Sequence, residues 1–114
     1  MKQKILAEIE KQHRHLNDLA FQIFDKPELG DETVFASNLL KDELEKQGFK
    51  VEYAIGGLNT SYRATWSNGE GGPNIGFLGE YDALKNQGHA CGHHMQSPAA
   101  IGASVALKNV LEGT

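Results

Sequence analysis

The chain has 114 residues, 39% hydrophobic and 23% charged, with 11 Lys+Arg against 15 Asp+Glu for a formal net charge of -4. That composition suits a globular protein with one core; it excludes two ordinary domains and a disordered or fibrous chain, and the lack of a basic patch excludes nucleic acid as a partner. No apolar run approaches the ~20 residues that cross a bilayer, and Glu8 comes too early for a signal peptide, so the expected location is cytoplasmic with no membrane partner.

Residues 4 to 24 place Ile5, Ile9, Leu16, Leu19, Ala20 and Ile23 near a helical repeat with polar residues between them, which predicts an amphipathic helix. Pro27 and Gly30 bracket a break in which Glu28 serves the turn. Asp31 is then expected to cap a second helix carrying Phe35, Leu39, Leu40 and Leu44, with Gly48 ending it. Residues 49–53 and 62–66 alternate apolar with polar positions and predict two strands with a bend at Gly56-Gly57; Tyr62 and Trp66 share one face, as core or cover. After a Gly-rich connection, residues 74–78 predict a third strand, hairpin partner of the second. Ser97-Pro98 reads as the start of a last, Ala-rich helix, leaving residues 79–96 as a long loop between strand and helix. The expected fold is α/β, a partial mixed sheet covered by helices.

That loop holds the chemistry. His89-Ala90-Cys91-Gly92-His93-His94 packs the only cysteine and three of the five histidines into six positions. A single cysteine excludes an internal disulfide, so its thiol is core filler, a nucleophile or a metal ligand. Thiolate and imidazole are the ligands that borderline-soft divalent metals prefer, and the Cys-Gly-His spacing with a flexible Gly92 turns both toward one ion. A helix beginning just afterwards favours the thiolate through its amino-terminal dipole. Glu80 and Asp82 bring carboxylates to the same rim. Two other readings of the loop stay open: a structural segment with no metal, and a thiol hydrolase with Cys91 as nucleophile and His89 or His93 as base. His13 and His15 belong to solvated faces of the first helix.

Four stretches, Pro27-Glu28-Leu29-Gly30 with Glu32, Gly79-Glu80-Tyr81-Asp82-Ala83-Leu84, Gly88-His89-Ala90-Cys91-Gly92-His93, and the helix from Ala99 to Leu107, carry a resemblance. The chain resembles the amino-terminal part of a metal-dependent amidohydrolase of the aminoacylase and carboxypeptidase G superfamily. It is most similar to the branch of aminobenzoyl-glutamate and N-acyl-amino-acid hydrolases. The resemblance implies that residues 1-114 are an incomplete amino-terminal segment of a zinc-peptidase-like catalytic domain. It also implies that Cys91 and His93 are metal ligands, that Asp82 orients a ligand, and that His89 belongs to the motif without binding the ion. The implied cofactor is a pair of divalent ions, zinc or manganese, which activate water against a small-molecule amide substrate. Lys85 and His94 depart from the family pattern, where Pro and Asp or Asn are usual, and Glu80 stands where related motifs have His. The Glu-Glu pair that supplies general base and ligand in the family, and two further histidines, do not occur within these residues. The alternative is a truncated, inactive metal-binding or interaction module. A sheet lacking further strands exposes an edge, through which a homodimer is expected.

Overall fold

The computed structural model describes residues 1–112. Three helices and one antiparallel strand pair follow each other in the order α1 (Lys2–Asp25), α2 (Val34–Lys46), β1 (Lys50–Tyr53), β2 (Tyr62–Thr65) and α3 (His93–Glu112). This is a mixed α/β arrangement, as the sequence pattern predicts. The expectation that the last helix has finished by Gly113-Thr114 lies outside the described residues.

α1 and α3 share the largest helix interface, and its closeness depends on Gly102: a Cβ there would stand 2.6 Å from Leu16 Cδ1. Polar groups seal its length, with Gln12 Nε2 donating to the Gly102 carbonyl at 3.3 Å and Asn109 Nδ2 to Glu8 Oε2 at 3.1 Å. Between the helices and the strand pair lies the core, formed by Ile23, Ala36, Leu40, Leu44, Ile101 and Val105. The strands pair Val51 with Ala64 and Tyr53 with Tyr62. Because side chains alternate across a pleat, Val51, Tyr62 and Ala64 turn inward together and pack on that core.

Three local expectations are corrected. The second helix starts at Val34 rather than after an Asp31 cap, and its amino-terminal Thr33 makes no side-chain cap. The Glu28 carboxylate does this instead, accepting the Phe35 and Ala36 N–H groups, each at 2.9 Å. A carboxylate is the stronger acceptor for the unpaired N–H groups and positive dipole of a helix start.

Residues 74–78 form no strand. Gly69, Gly71 and Gly72 all adopt positive φ, so the chain turns repeatedly instead of reversing in one hairpin turn, and Pro73 has no N–H for a ladder. Ile75, Phe77 and Leu78 consequently lie on the surface, Leu78 at 96% exposure.

The last helix begins at His93, ahead of the predicted Ser97-Pro98 start, with Pro98 inside it. Gly92, at φ 84°, makes the turn into the helix, and the Met95 N–H reaches its carbonyl at 3.0 Å. Pro98 sits close enough to the helix start that its missing N–H leaves only the His94 carbonyl without its usual donor. The early start puts His93 and His94 on a helix rather than a loop.

Candidate functional site

Two contacts fix the rim where the chemistry-bearing residues gather. The Glu28 carbonyl accepts the Ala83 N–H at 2.6 Å, within a parallel bridge between Leu29 and Ala83. Upstream, Gly79 presses so closely on α3 that a Cβ there would lie 2.5 Å from Ser97 Oγ and 3.0 Å from its Cα. Glu80, Tyr81 and Asp82 are held between these anchors. Tyr81 adds a third, its hydroxyl donating to the Thr60 carbonyl and its ring stacking on Tyr62 at 6.1 Å. Sequence reasoning assigned Tyr81 no role; the signal was an aromatic residue alternating with two acids. A cleft of about 380 Å³ opens beside the rim, with Asp31, Thr33, Thr60, Glu80, Tyr81 and Asp82 in its wall.

His93 and Asp82 meet directly. His93 Nδ1 lies 2.7 Å from Asp82 Oδ1, and Nε2 lies 3.5 Å from Glu80 Oε2. The bond to Asp82 holds the His93 imidazolium above the usual imidazole range, against a smaller opposing effect of desolvation. An imidazole whose Nδ1–H donates to a carboxylate presents its Nε2 lone pair outward, the arrangement typical of metal-bound histidines. Cys91 is exposed on the turn just before α3. Sulfur and imidazole are donors that suit zinc, and carboxylate is a harder donor that suits manganese. Among the described residues, however, no three His, Cys, Asp or Glu side chains converge to enclose an ion. The donor types are ones a divalent cation accepts, but the described residues do not assemble a set of three.

The remaining imidazoles sit apart from the carboxylates. His89 is 5% exposed, and neither ring nitrogen reaches hydrogen-bond geometry with any group, although the Ile23 backbone attracts its proton weakly. Burial, helped by the neighbouring His94 and His93, pushes its pKa below the usual range, so the ring stays neutral. His94 packs its ring 5.3 Å from that of His89 and 5.0 Å from that of Phe24, and its Nδ1 is buried without a partner. On α1, His15 is half-exposed as expected, but its Nε2 approaches Glu43 Oε1 at 2.6 Å; His13 is exposed.

The chain is similar to one of the subunits of the p-aminobenzoyl-glutamate hydrolase of Escherichia coli, 34% identical over 91% of this chain and 25% of that protein. It is also similar to the Xaa-Arg dipeptidases of mouse, 32% identical over 98% of this chain and 28% of the relative, and of human, 31% identical over 92% and 27%. It thus spans about a quarter of the length of the curated relatives it matches. No protein-family model matches it. These likenesses bear out the resemblance its motifs carry: over most of its length the chain is homologous to one part of these proteins.

Proposed function

We propose that this chain, a homologue of the aminobenzoyl-glutamate hydrolase and Xaa-Arg dipeptidase group, is the amino-terminal segment of a metal-dependent amidohydrolase catalytic domain. The observation that carries the reading is the Asp82–His93 contact at 2.7 Å. In this role Cys91 and His93 hold a divalent cation, zinc or manganese, and Asp82 fixes the His93 ring so that Nε2 faces the ion. The complete enzyme is expected to hold two such ions. Glu80 adds negative charge beside Nε2, and His89 supports the loop from within without binding. When bound, the cation polarises an amide carbonyl and acidifies water.

The substrate is a small amide of the aminobenzoyl-glutamate, N-acyl-amino-acid or dipeptide kind, as the relatives' names suggest. The general base and further ligands are expected in sequence beyond residue 114. A cytoplasmic location accords with an exposed free thiol at Cys91, which suits a reducing compartment. Exposed Ile75, Phe77 and Leu78 form an apolar surface segment that supports a homodimer through this face. A second reading, an inactive metal-binding or interaction module, has in its favour that no three donors converge among the described residues.

The test joins metal uptake to turnover. Loaded with Zn2+ or Mn2+, the protein encoded by the full reading frame hydrolyses aminobenzoyl-glutamate or an Xaa-Arg dipeptide; a chelator stops it and added metal restores it. Cys91→Ser and His93→Gln each abolish turnover. Hydrolysis that survives the chelator but ends when Cys91 is alkylated would establish the thiol mechanism instead. Metal uptake with no turnover would leave the module.

A further inference from the structure

We infer that residues 74–78 pair with the same residues of a second copy of this chain, as an antiparallel ribbon whose two-fold axis passes through Gly76. The inference rests on the homodimer proposed above and gives it a register. The first observation is an unpaired backbone. Among the described residues, no N–H or C=O of residues 74–78 bonds to another backbone group, and residues 73–80 contain neither turn nor bend. Every residue from 71 to 80 is exposed, and a Cβ built on Gly76 would meet nothing within 4 Å. A second strand can therefore approach without displacing any part of the fold. Such a row of free donors and acceptors is a template for strand addition.

The second observation is that the segment is complementary to itself. In an extended chain alternate side chains share a face, so Ile75 and Phe77 point the same way. An antiparallel pair centred on Gly76 sets Ile75 of each copy opposite Phe77 of the other, and an aromatic opposite a β-branched residue is a favourable cross-strand pair. Slipping the pairing by one residue sets Ile75 or Phe77 opposite Gly76 instead, and that contact is lost. Leu78 falls on the other face, opposite Asn74. Pro73 fixes which residues exchange bonds. With Gly76 as a hydrogen-bonded pair, the bonds fall at residues 74, 76 and 78, about six in all, and none needs the N–H that Pro73 lacks. The same phase makes Ile75 and Phe77 the closer, non-hydrogen-bonded pairs. Glu70 and Glu80 lie outside the paired stretch, so no carboxylate opposes another within it. The contact is smaller than the about 1,200 Å² at which stable interfaces begin, so the dimer is expected to dissociate in the micromolar range.

Sedimentation equilibrium of the full chain across the micromolar range is expected to show monomer and dimer exchanging. Phe77→Lys, at an exposed position, is expected to weaken the dimer roughly tenfold or more while circular dichroism stays unchanged. Cross-linking on a Cys91→Ser background reads the register. Cα atoms of a hydrogen-bonded antiparallel pair stand about 5.5 Å apart, within reach of a disulfide, and Gly76 does not hold the positive φ that would resist a side chain. Gly76→Cys is therefore expected to oxidise to a linked dimer, as is a mixture of Asn74→Cys with Leu78→Cys. Asn74→Cys alone is expected to give none, because its two-fold mate lies about 14 Å away along the ribbon. A dimer that links through Asn74→Cys alone, as a parallel pair would, or that links through none of these positions, overturns the inference and leaves the homodimer standing. A monomer at every concentration overturns both, while turnover still decides the hydrolase reading separately.

Discussion

The Glu28 carbonyl accepts the Ala83 N–H at 2.6 Å, while the carboxylate of the same Glu28 receives two N–H groups from the start of α2. One residue therefore joins a helix start to the rim that carries Asp82. Glu28→Ala removes the carboxylate's two bonds and is expected to cost about 1–3 kcal/mol of stability. Urea denaturation measures it. A loss no larger than that of an ordinary surface substitution would show that solvent replaces the cap.

Gly79→Ala tests the second anchor. The new methyl meets the Ser97 backbone at 3.0 Å as well as its hydroxyl, and backbone cannot swing aside as a flexible side chain does. A loss of about 1–3 kcal/mol is expected from overpacking, together with displacement of the rim. The second effect is read from the His93 ring resonances, which shift toward those of an imidazole without its carboxylate partner.

Asp82 and His93 make the metal-free chain sensitive to pH. The His93 pKa is raised, chiefly by its bond to Asp82. A raised imidazole pKa means that the stabilisation is complete below the ordinary value of about 6.5 and fades as pH rises through the folded value. NMR titration of the metal-free chain is expected to find His93 titrating above the ordinary imidazole range, and Asp82→Asn is expected to bring it down. A His93 titration unmoved by Asp82→Asn would show that the pair does not form in solution.

Tyr62 sets the alkaline limit. Burial, then the neighbouring Tyr81, pushes its phenol up to about 12, with the Ser97 hydroxyl opposing. Its contribution is whole below the ordinary phenol value of about 10 and is lost as pH climbs toward the folded value. Phenolate absorbance is expected to show all three tyrosines titrating above the ordinary phenol range with Tyr62 last, and that last step is absent in Tyr62→Phe.

Two leucines contrast burial with exposure. Leu40 is fully buried and Leu78 is 96% exposed. Leu40→Ala is expected to cost about 2–5 kcal/mol through lost burial and a cavity, and Leu78→Ala to stay within about 0.5 kcal/mol. Thermal unfolding separates them. An equal loss at Leu78 would mean that the apolar segment 74–78 is covered in solution.

Periodicity determined the first two helices and the strand pair, because the spacing of Leu16, Leu19 and Ile23, of Leu40 and Leu44, and the alternation at 49–53 and 62–66 each commit one face to burial, while the third helix was read from Ser97-Pro98 and its Ala-rich face. The clustering of Cys91 with three histidines was equally plain in the sequence, as were the acids at 80 and 82. Tertiary structure decided what local signals could not. Residues 74–78 have strand character but no partner edge, since a strand exists only by pairing. The start of α3 moved to His93, where Gly92 turns the chain and the ring of His93 meets Asp82. The division of labour among the imidazoles also came from packing: His93 faces carboxylates, whereas His89 and His94 face each other. Nearness along a chain sets which groups can meet, but the direction each ring points follows from the elements packed around it.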